Sequence, residues 1–240
     1  MNIRYLKTGA NSAAFNMGLD EVMMRRVTVH EPVLRFYSWS PPAVSIGYFQ
    51  GLEEEVDLQA CEKAGVDVVR RITGGGAVFH DTELTYSYIT REYPKDILES
   101  YHLICGGIIK GLQRLGIEAQ YAPINDILVN GKKVSGNAQT RKQGALLQHG
   151  TILLKVDVEK MFSLLRVPSE KIRDKMVQSV KERVAGLEKN WEEVAPALEQ
   201  GFSEVLGGSL QTSELTEEER EAAQLLARKK YASHEWNFFR

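Results

Sequence analysis

Cysteine is scarce in this chain: Cys61 and Cys105 are the only two among 240 residues. That excludes a disulfide framework, and no zinc-ligand spacing is present either. Both cysteines lie in helix-like text, DLQACEKAG and YHLICGGIIKGL, and read as buried, reduced thiols. Long apolar runs are also missing. No segment approaches the roughly 20 residues that a membrane span requires. The opening MNIRYLKTGANSA has no apolar core of a secretion signal. The expectation is a cytoplasmic protein that does not engage a membrane. An excess of basic charge is lacking too. The formal net charge of -2 argues against a dedicated nucleic-acid binder. There is no internal repeat and no low-complexity linker. What is present, 43% hydrophobic residues, suits a sizeable core. These features predict one domain over 1–240. Residues 207–240 form a helical tail packed on it, with Gly207-Gly208-Ser209 as a loose joint.

Periodicity predicts a helix over 11–29, capped by Asn11 or Ser12, with Phe15, Leu19 and Met23 on one face. VLRFYSW (33–39) and AVSIGYF (43–49) read as strands joined by a proline turn. LEEEVDLQACEKAG (52–65) reads as one helix ending at a glycine. VDVVRRIT (66–73), AVFH (77–80) and ELTYSYIT (83–90) read as strands. Residues 95–115 read as an amphipathic helix. Three strand-like runs follow at 125–129, 132–139 and 145–156, the first two joined by Asn130-Gly131, a strong hairpin signal. Beyond Asp157 the text is helical, and Thr216 with Glu219 has capping-box spacing. Strands and helices mix in the first two-thirds, and helices dominate the last third.

The stretch RRITGGGAVFHD (70–81) places three glycines between two strand-like runs. Glycine admits positive φ and close approach by other groups. A loop held at both ends can turn successive N–H groups toward an anion or wrap an elongated ligand. The spacing is neither a Walker loop nor a dinucleotide fingerprint. Arg70 and Arg71 point to opposite faces, so one of them reaches the site. A second cluster lies in NDILVNGKKVSGNAQTRKQGALLQHG. A hairpin there brings Asn125, Asp126 and Lys133 into one neighbourhood, with His149 on an adjacent strand. Lys133 is suited to neutralising a carboxylate or a phosphate, and Asp126 to holding magnesium. The small residues Ser135, Gly136 and Ala138 suit close backbone approach.

RRITGGGAVFHD, NDILVNGKKVSGNAQ and QHGTILL, in this order, resemble the lipoate–protein ligase A family, which groups with biotin protein ligases and octanoyltransferases. The resemblance runs through the closing KKYASHEWNF. It implies an α/β (α+β) fold with a central mixed β-sheet flanked by helices. It implies an ATP-dependent ligase that forms lipoyl-adenylate with Mg2+ and passes the lipoyl group to a lysine. The acceptors would be apo lipoyl domains, those of 2-oxo acid dehydrogenase acyltransferases and the H protein of glycine cleavage. Under it, Arg71, Gly76, Ala77, Val78, Phe79 and His80 hold the nucleotide, with Asn125, Asp126 and His149 completing that site. Lys133 is catalytic, touching both the carboxylate and the α-phosphate. Gly74, Gly75, Ser135, Gly136 and Ala138 line the lipoyl side. Two anions must meet before reaction, so cations and oriented N–H groups offset their repulsion. Val78, Phe36, Tyr37 and Ile46 are candidate linings for the acyl chain.

The length implies the family's two-subunit members, in which a small accessory subunit completes adenylation. The family's cysteine-dependent octanoyltransferases offer an alternative. They move octanoyl from acyl carrier protein through a thioester on a cysteine just before the lysine-bearing hairpin. Here that loop reads QYAPINDILVNGKK, without cysteine, which weighs against that route. Biotin ligation and a non-catalytic module that holds lipoylated domains are further alternatives. Lys133 and the glycine loop argue against the latter.

Overall fold

The computed structural model describes residues 1–167 and 169–240. In chain order the elements are β1 Asn2–Asn11, α1 Ala13–Arg26, β2 Val33–Trp39, β3 Ala43–Ile46, α2 Leu52–Glu55, α3 Leu58–Lys63, β4 Asp67–Arg70, β5 Val78–His80 and β6 Glu83–Thr90. Then follow α4 Ile97–Arg114, β7 Ala119–Ala122, β8 Asp126–Val129, β9 Lys132–Lys142, β10 Ala145–Leu153, α5 Val158–Leu164, α6 Glu170–Arg183 and α7 Trp191–Leu206. The chain closes with β11 Ser209–Ser213, α8 Glu217–Leu226, a π-helical turn Ala227–Tyr231 and α9 His234–Asn237. Eight strands form a mixed sheet in the order β11-β1-β2-β6-β10-β9-β8-β7. A smaller sheet runs β4-β3-β5.

Alternation along the central strands sorts two cores. Leu84, Tyr86 and Tyr88 of β6 point to a core closed by α4 and α7 through Ile104, Ile108, Leu198 and Phe202. Ile89 and Leu147 point the other way, against Leu19 and Met23 of α1, which α8 covers through Ala223. Each fully buried Leu or Phe contributes about 1.5–3 kcal/mol. The polar members of that second face do something else. Arg35 and Asp20 are both buried and pair at 2.8 Å. Arg35 also bonds Asn16 Oδ1 at 2.5 Å and Thr8 Oγ1 at 2.8 Å, and Ser87 donates to Asp20 at 2.8 Å. A charge pair so placed persists because neighbouring groups also hydrogen-bond both the guanidinium and the carboxylate.

The helix over 11–29 forms as Ala13–Arg26, capped by Ser12. The hairpin turns through Asn130 and Gly131, both at positive φ. Thr216 and Glu219 form the expected capping box. Four expectations are corrected. Residues 52–65 are two short helices, because Val56 bridges to Leu165 and Asp57 caps the second. Residues 207–240 are not wholly helical, since β11 adds in parallel to β1. Residues 207–209 are no loose joint. Gly207 ends α7 in the left-handed conformation, and Gly208 packs against the Met1 carbonyl. Strands β1 and β7 are also present where no strand was expected.

Candidate active site

A cleft of about 1110 Å³ opens between the two sheets and the 155–188 segment. Its first wall is the glycine loop between β4 and β5. Gly75 adopts φ +97°, and a Cβ on Gly47 would sit 2.0 Å from the Gly75 carbonyl oxygen. The loop is therefore seated on the start of the β3–α2 connection, where Tyr48 N also donates to Thr73 O at 2.8 Å. Arg71 braces it from below. Its Nη2 donates to Gly74 O at 2.8 Å and Gly76 O at 2.7 Å, and its Nη1 to Ser45 O at 3.0 Å. Burial lowers the Arg71 pKa to about 10, so it stays charged at neutral pH. With its carbonyls held by Arg71, the loop leaves its amides free. No N–H of Gly74, Gly75 or Gly76 meets an acceptor among the described residues. Arg70, on the opposite face, lies under the C-terminal segment, bonded to Trp236 O at 3.2 Å and Asn237 O at 2.7 Å.

The second wall is the centre of the large sheet. A bulge shifts the β8/β9 register so that Leu128 pairs with Lys133 and Ile127 with Ser135. Lys133 then lies across Gly136, where a Cβ would meet its Cε and Nζ at 2.8 Å. Its ammonium reaches Asp126 Oδ1 at 2.8 Å, although the approach falls outside hydrogen-bond geometry. Asn125 and Asn137 clasp each other through side-chain and backbone bonds.

Two histidines complete the walls, each held between a carboxylate and a hydroxyl. His149 of β10 meets Asp20 Oδ2 at 3.2 Å and Thr73 Oγ1 at 2.8 Å. Burial lowers its pKa, against the pull of Asp20. Burial alone would raise the Asp20 pKa. The His149 hydrogen bond and the Arg35 charge outweigh it, and Asp20 ends below the usual range. His80 of β5 meets Glu83 Oε1 at 2.7 Å and Ser45 Oγ at 2.8 Å. Trp39 stacks on the His80 ring at 4.0 Å.

The structure thus gathers Arg71, Gly75, Gly76, Ala77, Val78, Phe79, His80, Asn125, Lys133, Gly136, Ala138 and His149 around one cleft. Gly74, Ser135 and Asp126 are not among its lining residues. Three of these expectations gain surroundings that the sequence did not show. Arg71 lines the cleft and bonds the loop carbonyls and Ser45. Asp126 is matched by Lys133, and among the described residues no three His, Cys, Asp or Glu side chains gather as metal ligands. Of the expected acyl linings, Val78 and Tyr37 face the cleft, while Phe36 and Ile46 are core. Sequence reasoning missed Ser45, Thr73, Asp20 and Glu83. Their partners lie 35, 76, 129 and 3 residues away, and only for Glu83 is there a local signal, beside His80.

A family model described as the lipoyl protein ligase A/B catalytic domain matches residues 12–203. The chain belongs to this family. Octanoyltransferase LipM of Kyrpidia tusciae is 42% identical to it over 98% of both chains. The Bacillus subtilis LipM is 37% identical, over 99% of this chain and 98% of its own. The first alignment runs 270 positions against 240 residues here, so that relative carries segments this chain lacks. Among solved structures, a bipartite lipoate protein ligase from Thermoplasma acidophilum superposes with a TM-score of 0.93 at 36% identity, covering 99% and 96% of the two chains. A lipoate-protein ligase A bound with ATP gives 0.88 at 33%, covering 99% of both.

The expected mixed-sheet ligase fold is therefore present. The expected activity is corrected. The full-length curated relatives are octanoyltransferases, so ATP-dependent lipoate ligation is not retained for this chain. The motifs that wall the cleft did not separate the two chemistries. Both cysteines are free and buried, away from the cleft. Burial pushes Cys61 up to about 11 and Cys105 up to about 12. Among the described residues no helix is long and apolar enough to cross a membrane.

Proposed function

We propose that the chain transfers an octanoyl group from a carrier-bound thioester to a lysine of a lipoyl domain. The observation that carries this reading is the 42% identity to an octanoyltransferase over 98% of both chains. The cleft is consistent with it. Tyr37, Val78, Phe79 and Met161 offer an apolar path for an acyl chain. The free amides of the glycine loop and the Lys133 ammonium offer donors for the carbonyl oxygen, where negative charge develops as the thioester is attacked. Asn125 and His149 bound the same space. A thioester is already activated, so the reaction consumes no nucleotide. The acceptors proposed are the lipoyl domains of 2-oxo acid dehydrogenases and the H protein of glycine cleavage. A lipoyl domain accompanies the Thermoplasma neighbour.

Incubation with octanoyl-acyl carrier protein and an apo lipoyl domain, without ATP, tests it by intact mass of the acceptor. An octanoyl mass gain is expected. A gain that appears only with ATP and free acid overturns the proposal.

A further inference from the structure

The donor in the transfer proposed above is a carrier protein, so the chain must hold a macromolecule as well as an acyl group. One surface beside the cleft has the chemistry for that. Phe49 is 69% exposed and Phe239 41% exposed, although both are large and apolar. Their rings belong to one cluster. The Tyr48 ring lies 5.0 Å from Phe49 and 5.3 Å from Phe239, and Trp236 lies 5.6 Å from Phe239. Joined aromatic side chains in solvent mark a binding surface, whereas single ones do not. Cations stand among them. Lys142 Nζ lies 5.2 Å from the Tyr48 ring, Lys230 Nζ 3.9 Å from the Trp236 ring and the Arg240 guanidinium 5.5 Å from the Phe49 ring. Glu21 is shared by Lys230 and Arg25, so it does not also offset Lys142. Burial lowers the Lys230 pKa against the pull of Glu21, and the charges of Lys142 and Arg25 add to that lowering. The exposed acids Glu53 and Glu54 follow Phe49 into α2, so the positive charge is concentrated on the Lys142 side.

The patch is joined to the cleft. Arg70 Nη1 donates to Gly47 O at 3.2 Å and Tyr48 O at 3.1 Å, and its Nη2 to Asn237 O at 2.7 Å. One buried guanidinium thus ties together both segments that carry the rings. The same residue ends β4, which leads into the glycine loop, and Gly47 packs on the Gly75 carbonyl. Gly75 and Gly76 are exposed and line the cleft. We propose that this aromatic and cationic face receives an acidic surface of the acyl carrier protein that donates the octanoyl group, so that the thioester enters the cleft over the glycine loop; this rests on the octanoyl-transfer reading. Carboxylates of the carrier meet Lys142, Lys230 and Arg240, and its apolar side chains cover Phe49 and Phe239. A face already held by Arg70 loses little freedom on docking. Opposite charge speeds the encounter and makes it salt-dependent. Rings interleaved with cations also suit single-stranded nucleic acid. The net charge of -2 and the acids Glu53 and Glu54 beside the rings oppose a long polyanion.

The test has two parts, each run on the full chain. Fluorescence anisotropy of labelled acyl carrier protein reads binding at low and high salt. Transfer kinetics compare octanoyl-acyl carrier protein with octanoyl-pantetheine, a small neutral thioester that lacks the protein. The double variant Phe49→Ser, Lys142→Glu changes two exposed side chains outside the cleft lining, and circular-dichroism melting checks its fold. It is expected to weaken carrier binding and raise the KM for the carrier-bound donor roughly 10-fold, the usual loss for one or two interface anchors. The kinetics with octanoyl-pantetheine and the KM for the lipoyl domain should stay nearly unchanged. Lys142→Arg should keep the wild-type carrier KM. An unchanged carrier KM and affinity in the double variant overturns the inference. So does an equal loss with octanoyl-pantetheine, which would place the damage in the cleft. A higher KM for the lipoyl domain alone gives the face to the acceptor and overturns it too, as does binding of a single-stranded oligonucleotide in place of the carrier. Carrier binding that the variant loses, in a chain that transfers octanoyl from neither donor, upholds the face and overturns the transfer reading. Neither binding nor transfer overturns both.

Discussion

Lys133 and His149 show how one residue's surroundings set its work. The Lys133 side chain is partly exposed, pairs with Asp126 and lies over the Gly136 backbone. A pair of that kind contributes about 0–1 kcal/mol to stability. Lys133→Ala is therefore expected to leave the melting temperature nearly unchanged. Octanoyl transfer should fall roughly 100-fold, the usual consequence of losing one donor to a developing oxyanion. Equal loss of melting temperature and rate would reject that role. His149 is the reverse case, buried and held neutral with its pKa below 6.5. The unfolded chain takes up its proton first as the pH falls, so stability drops as pH is lowered through 6.5 toward the folded value. One proton accounts for at most about 1.4 kcal/mol per pH unit. Asp20, whose pKa is lowered, keeps its contribution until well below this window. Urea unfolding across pH should show the slope in the wild type and a flatter one in His149→Gln; identical slopes would remove His149 as its source.

Among the elements, β9 and the glycine loop matter most. The bulge between β8 and β9 and the bare backbone of Gly136 together let Lys133 lie over the sheet. A methyl at Gly136 meets the far end of the Lys133 side chain at 2.8 Å, with Asp126 Oδ1 at 3.7 Å. Gly136→Ala should keep the fold, shift the ammonium and lower transfer, and circular-dichroism melting alongside the rate assay reads both. A full rate would show that the ammonium does not need this position. The glycine-rich text announced a special loop, and the Asn130-Gly131 turn announced the hairpin. Neither announced that Arg71 would be committed to the loop carbonyls, because that depends on Ser45 and Gly47 arriving from β3 and its exit.

At the scale of the molecule, the Arg35–Asp20 pair joins β2 to α1 under the site, and Asp20 holds His149. Arg35→Leu strands a buried carboxylate and is expected to cost about 3–5 kcal/mol in urea unfolding. Adding Asp20→Asn should recover part of that loss. Additive losses would show that the two side chains do not act as a pair. The C-terminal segment is a second long-range tie. Asn237 and Trp236 hold Arg70, the last residue of the strand that feeds the glycine loop.

The sequence by itself determined the central strands 33–39 and 83–90, a helix cap at Asn11 or Ser12 and another at Thr216, the hairpin at 130–131 and the two motifs that flank the cleft. These follow from alternation, capping chemistry and turn preference, which act over a few residues. Tertiary structure decided the rest. Strand β1 exists because β2 and β11 flank it, although its text carries Arg4 and Lys7. The split of 52–65 depends on Leu165. The hydroxyl and carboxylate partners of His80 and His149 include residues 35 to 129 positions away. A hydrogen bond across such distances leaves no local periodicity, so only the folded chain shows which histidine meets which acid.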